Sequence, residues 1–227
     1  MMSMNNVSSN IETCANELFP SNGNCLPSVR FAGHTGEWSS VKLSHIASFS
    51  KGQGYSKSDL IEKGTPIILY GRLYTKYAFS INHVDTFANY KEGSVLSEGN
   101  EVIIPASGET PEDIARASAV MAKGIILGGD LNIVKVDENV CLPEFLALSI
   151  TYGSLHHILS KYAQGKTVVH LHNAEIKNIS IYLPPTIDEQ KYIVDYFKSI
   201  DKQIEILRVK VDKLCQIKQA SFSKMIM

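Results

Sequence analysis

Up to about Pro185 the chain alternates short apolar runs with turn formers, and beyond it the pattern becomes one long amphipathic repeat. The runs Pro66–Tyr70, Glu101–Pro105, Gly124–Gly128, Leu131–Val136 and Ile179–Leu183 are rich in Ile and Val and are bounded by Gly, Pro or Asn. β-Branched side chains fit a pleated surface and the flanking residues turn the backbone, so each run predicts a strand. Between Pro143 and Tyr162 the spacing of Phe145, Leu148, Leu155, Ile158 and Leu159 predicts a helix, with Pro143 and Glu144 in its first turn. Strands and helices do not alternate regularly. The expectation for residues 27–185 is therefore a mixed, largely antiparallel α+β domain.

From Thr186 to Met227 there is neither Gly nor Pro. Thr186 is a good N-cap, and Asp188 and Glu189 place negative charge where the helix dipole favours it. Ile193, Phe197, Ile200, Ile204, Leu207, Val211 and Leu214 follow at intervals of 4, 3, 4, 3, 4 and 3, a heptad seam along one line of a helix. The 42 residues from Thr186 would make a rod of roughly 60 Å, longer than a helix lying flat on a domain of this size requires. Such a stripe needs a partner, and these seven side chains are expected to form the dimer contact of an antiparallel coiled coil over 186–227. Near the end the register slips onto Phe222, Met225 and Ile226. Residues 1–26, rich in Asn and Ser, read as a flexible or loosely attached leader.

Composition narrows the function. With 227 residues, 44% of them hydrophobic, the chain can bury a core, and no apolar run approaches the roughly 18 residues of a membrane span. The first ten residues lack the layout of a signal peptide, so a cytoplasmic protein is expected. The four cysteines are scattered without metal-site spacing, which predicts reduced, mostly structural thiols. A net charge of -1 argues against a protein that holds nucleic acid only by neutralising phosphates. Locally the balance differs: Lys51–Tyr77 is basic, Asp85–Asp113 acidic and His156–Lys177 basic again. That pattern suits a surface facing DNA on one side, or ordinary variation in surface charge.

Three stretches together resemble the specificity subunits of type I restriction-modification enzymes. The first is Pro27–Gly33 with Gly36-Glu-Trp38 and Lys42-Leu43; the second is Pro105–Ile114 with Gly128–Asn132; the third and most specific is Leu183–Gln190, running into Ile193 and on to Asp201. The resemblance implies a target-recognition domain reading one part of a split double-stranded DNA site, with the helix as a ruler to a second such domain. It implies methyltransferase and restriction subunits as partners, with S-adenosylmethionine bound by the methyltransferase subunit and no cofactor on this chain. Complete family members carry two recognition domains and two helices, whereas one of each is visible here. A truncated subunit, an engineered half, or a natural half pairing with its copy would each account for that, and the heptad seam favours pairing.

The strongest base-reading candidate is Leu69–Tyr77. Arg72 and Lys76 can donate to guanine edges or phosphate, Thr75 can do either, and Tyr70, Tyr74 and Tyr77 can pack on sugars or donate to phosphate. The competing reading buries the tyrosines and leaves the cations solvated. Lys161–Thr167 is a second candidate, through Gln164 and Lys166, and Gly52–Ser56 with Lys51 and Lys57 a third. Gly165-Lys166-Thr167 is no phosphate loop, because the required first glycine is Ser160. His170 and His172 share a face but lack a third metal ligand nearby. Ser107–Thr110 reads as a turn and Glu112–Ala119 as the start of a short helix. No catalytic constellation is legible, so catalysis is expected from partner subunits; the alternative is a coiled-coil assembly adaptor without DNA readout.

Overall fold

The computed structural model describes residues 13–21, 24–162 and 169–225. In chain order the elements are β1 (Ser39–Lys42), α1 (Leu43–Ile46), β2 (Ala47–Lys51), a 3-10 turn (Lys57–Asp59), β3 (Leu60–Ile61), β4 (Thr65–Ile68), α2 (Arg72–Thr75), β5 (Ser80–Ile81) and β6 (Phe87–Ala88). There follow β7 (Leu96–Glu98), β8 (Glu101–Pro105), β9 (Ser107–Gly108), α3 (Pro111–Ile114), β10 (Ser118–Val120), β11 (Lys123–Leu127) and β12 (Leu131–Val136). The last are α4 (Pro143–Tyr152), α5 (Ser154–Tyr162), β13 (Val169–His170), α6 (Asn173–Lys177), β14 (Ser180–Leu183) and α7 (Ile187–Met225).

Two five-stranded sheets, ordered β2-β12-β8-β10-β5 and β3-β6-β4-β11-β7, carry the domain. The pairings β10–β5 and β11–β4 are parallel and the others antiparallel. The runs Val102-Ile-Ile104 and Leu131–Val136 are continuous rather than alternating because both faces of their sheet are covered. Val102, Ile104 and Val134 pack with Phe145, Leu146 and Leu148 of α4, while Ile103, Leu131 and Ile133 pack with Ile68, Ile125 and Leu127 of the second sheet. Gly153 divides the expected helix into α4 and α5, and the helix expected from Glu112 to Ala119 is only the single turn α3, because Ser118–Val120 is recruited as a strand.

The leader expectation needs correction where the chain is described. Residues 13–17 are helical, and Ala15, Leu18 and Phe19 are buried in the main core, with the Phe19 ring 5.8 Å from that of Phe145. Their apolar side chains are too few and too spread among Asn and Ser to give a periodic signal. Residues 1–12 of the expected leader lie outside the described residues.

The ends of the domain are zipped together by β1 and β14, with Ser39 opposite Leu183. This pairing places Trp38 against the start of α7. The Glu189 backbone N–H donates to the Thr186 hydroxyl at 3.4 Å, the N-cap expected there. Glu189 itself is buried and accepts two bonds from Arg30, at 2.7 and 2.8 Å, and one from the Trp38 indole at 3.3 Å. Arg30 also donates to the carbonyls of Gly36 and Thr35. Gln190 accepts from the Leu142 N–H at 2.8 Å and donates to the Val140 carbonyl at 2.9 Å, which joins α7 to the head of α4.

Beyond this junction the helix leaves the domain. Ile193 and Phe197 are 2% and 4% exposed and belong to the domain's own core, with Phe197 stacked on Tyr152 at 5.5 Å. Their expected place in a dimer contact is therefore wrong: the first two seam positions hold the helix to its own domain. Ile200 and Ile204 are half-buried, whereas Leu207, Val211 and Leu214 are 59%, 56% and 65% exposed. From Lys202 to Met225 the rod extends roughly 35 Å.

Candidate nucleic-acid interface

A cleft of about 730 Å³ opens beside α2, and glycines make its shape possible. A Cβ on Gly52 would stand 1.8 Å from the Gly128 carbonyl oxygen, and one on Gly129 would stand 2.9 Å from that of Gly54. Segments 52–56 and 128–130 therefore cross in backbone contact, tied by the Gly129 N–H to the Gly54 carbonyl at 2.7 Å. Tyr55 leaves this crossing with a left-handed φ of 56°. Its hydroxyl donates to the Asn89 carbonyl at 3.1 Å, accepts from the Lys91 N–H at 2.9 Å and lies 2.6 Å from Ser94 Oγ. The Lys91 ammonium sits 4.6 Å from the centre of its ring.

The cleft lining includes Tyr55, Lys57, Tyr70, Arg72, Lys76 and Asp85. Asp85 accepts from Lys76 Nζ and, at 2.7 Å, from Arg72 Nη1. Hydrogen bonds from Lys76 and then Arg72 hold its carboxyl well below the usual carboxylate range, so it is ionised at neutral pH. The Arg72 side chain is only 16% exposed, and its Nε is buried without a hydrogen-bond partner. A concave wall bearing ammonium, guanidinium and tyrosine groups can donate to phosphate oxygens or to base edges and pack against sugars.

The structure gathers some of the expected contact residues and diverts others. Tyr70, Arg72, Thr75 and Lys76 all line the cleft, although Leu69–Tyr77 is a single helical turn and its flanks rather than an open loop. The Thr75 hydroxyl donates to the Gly71 carbonyl at 3.0 Å, leaving it an acceptor role. The Tyr74 hydroxyl donates inward to the Ser107 carbonyl at 2.6 Å, beside Gly108, and burial pushes its pKa up. Tyr77 is a correction: it packs on the main core, its hydroxyl donates to Thr151 Oγ1 at 3.1 Å, and burial likewise raises its pKa. Lys76 and Tyr77 are adjacent just past the end of α2, one exposed and the other turned inward, and the sequence pattern does not say which of the two faces the core. Lys51 is exposed at the end of β2, outside the cleft wall. Gln164 and Lys166 lie outside the described residues.

Residues 35–216, well over half of the chain, match the family described as "Type I restriction modification DNA specificity domain". The chain belongs to this family. Among solved structures the specificity domain resembles the HsdS subunit from Thermoanaerobacter tengcongensis, with a TM-score of 0.55 and 19% identity over 90% of this chain and 45% of that one. It also resembles a chain from a study of complex assembly and conformational transition of the type I R-M system, at TM-score 0.64 and 19% identity, covering 95% and 49% of the two chains. A type I S subunit from M. genitalium gives TM-score 0.55 and 13% identity, covering 79% and 42%. At these identities the likeness concerns the fold. The chain spans about half the length of the solved chains it matches. No curated protein matches it.

Within the specificity domain, Asp85 is the residue that sequence reasoning missed. It opens the acidic interval Asp85–Asp113, yet it stands in the cleft among Lys57, Arg72 and Lys76, thirteen residues from Arg72 in sequence and hydrogen-bonded to it in space. The only available signal was its proximity to the Leu69–Tyr77 segment. Among the described residues no three His, Cys, Asp or Glu side chains gather as a metal site, and no helix is long and apolar enough to cross a membrane.

Proposed function

We propose that this chain is the DNA-reading component of a type I restriction-modification assembly, taking one part of a split duplex site in the cleft beside α2. The observation that carries the reading is the convergence of Tyr55, Lys57, Tyr70, Arg72 and Lys76 on one concave wall of a specificity domain. A phosphate contact from Lys57 would set register, and Arg72 and Lys76 offer donors suited to a guanine edge. Methyl transfer and cleavage belong in this reading to methyltransferase and restriction subunits, which bind S-adenosylmethionine and supply the catalytic groups.

Two copies would join through α7. Leu207, Val211 and Leu214 expose one apolar line on a rod fixed to its domain by Glu189 and Gln190, and a second copy laid antiparallel would cover it. A two-fold pair of reading heads recognises an interrupted palindrome. Methylome sequencing of cells expressing this chain with its methyltransferase partner tests both points. A split, symmetric methylated motif is expected. An unchanged methylome together with intact complex assembly would favour a coiled-coil adaptor instead.

A further inference from the structure

Asp85 sits where a DNA-binding wall would be weakened by it. The cleft lining holds three cations, Lys57, Arg72 and Lys76, against two carboxylates, Asp85 and Asp130, and Asp85 occupies two of the three. Its side chain is 54% exposed, and its pair with the exposed Lys76 contributes little to stability. Its consequence is electrostatic. A phosphate approaching Arg72 or Lys76 brings a second anion beside the Asp85 carboxylate. The O6 and N7 edge of guanine offers acceptors with no net charge, so it can share Arg72 without that repulsion. Arg72 keeps Nη2 to share, since Asp85 engages Nη1 and Nε is buried.

We propose that Asp85 is a specificity-determining residue of the cleft, whose carboxylate suppresses phosphate binding by Arg72 and Lys76 and so favours base edges over backbone. The inference rests on the reading of the cleft as the DNA face. Rejection of a competing ligand by a built-in repulsion is a general route to discrimination.

The test uses the full chain, co-purified with its methyltransferase subunit, and compares wild type, Asp85→Asn and Asp85→Glu. Affinity for a random-sequence duplex is measured against salt, and a library with a randomised core is selected and sequenced. Asp85→Asn is expected to tighten random-duplex binding by roughly tenfold near 0.1 M salt and to steepen the log–log salt slope by about one, with a flatter selected motif. Asp85→Glu retains the wild-type pattern, and adding Lys76→Ala to Asp85→Asn removes the gain. If wild type selects a motif but Asp85→Asn leaves affinity, slope and motif unchanged, or weakens binding, the Asp85 role is overturned and the DNA reading stands. Wild type that binds no duplex at any salt would overturn both.

Discussion

Arg30 and Glu189, 159 positions apart, meet through two charge-assisted hydrogen bonds of 2.7 and 2.8 Å at the point where the long helix leaves its domain. The carboxylate is 2% exposed and the guanidinium 18%, so the pair is largely shielded from water. Arg30 and Trp38 come from the opening signature segment and Glu189 from the exit signature segment. Together these residues fix the direction of the rod relative to the domain.

Among the described residues, Arg30→Ala leaves the buried carboxylate with the Trp38 indole as its one side-chain donor. A loss of about 3 kcal/mol is expected, since removing one member of a shielded pair strands the other's charge. Urea unfolding of the isolated chain gives the number, and a loss below about 1 kcal/mol would show that solvent reaches Glu189.

The seam divides into two halves with different work. Phe197→Ala should cost about 3–5 kcal/mol of domain stability through the cavity left beside Tyr152 and Phe79. Leu207→Glu combined with Leu214→Glu should leave the melting transition of the domain in place while shifting the sedimentation of the chain from dimer to monomer. A wild-type chain that sediments as a monomer at all concentrations would contradict the paired arrangement.

Gly52→Ala forces a methyl group into the Gly128 carbonyl, 1.8 Å away. The crossing of segments 52–56 and 128–130 must then open, at about 3 kcal/mol or more. Because that crossing aims Tyr55 and Lys57, duplex binding should fall further than at Gly33, where an added Cβ meets nothing within 4 Å. Its φ of +90° still makes Gly33→Ala a strained control, so melting curves accompany the binding data for both.

Lys57→Ala should lower the salt slope of duplex binding by about one, the loss of a single phosphate contact. Tyr77→Phe should leave the slope and the selected motif alone, because the Tyr77 hydroxyl is spent on Thr151. Equal effects of the two substitutions would place the DNA elsewhere on the domain.

Thiol labelling distinguishes the cysteines. Cys14, Cys25 and Cys215 are exposed, and Cys141 is fully buried with its thiol pushed up to about 12 by desolvation. At pH 8 Cys141 is therefore held as the unreactive thiol. A maleimide should modify three thiols in the folded chain and the fourth only in denaturant, and rapid native labelling of Cys141 would contradict the packing of α4.

Local chemistry determined much of this protein. The β-branched runs became β4, β8, β11, β12 and β14, since a pleated strand bounded by turn formers satisfies those side chains wherever it lies. Thr186 capped α7, and the absence of Gly and Pro let that helix run through Met225. Tertiary structure decided what the pattern could not express. The heptad spacing places Ile193 and Leu207 on one line, yet which of them is covered depends on where α4 ends, and the domain reaches only the first turns. Arg72 and Lys76 were legible as cations near tyrosines, but the sharing of Asp85 and the inward turn of Tyr77 required the chain to fold. Sequence spacing fixes which side chains share a face of one element; the neighbour that face meets is set by contacts between residues far apart along the chain.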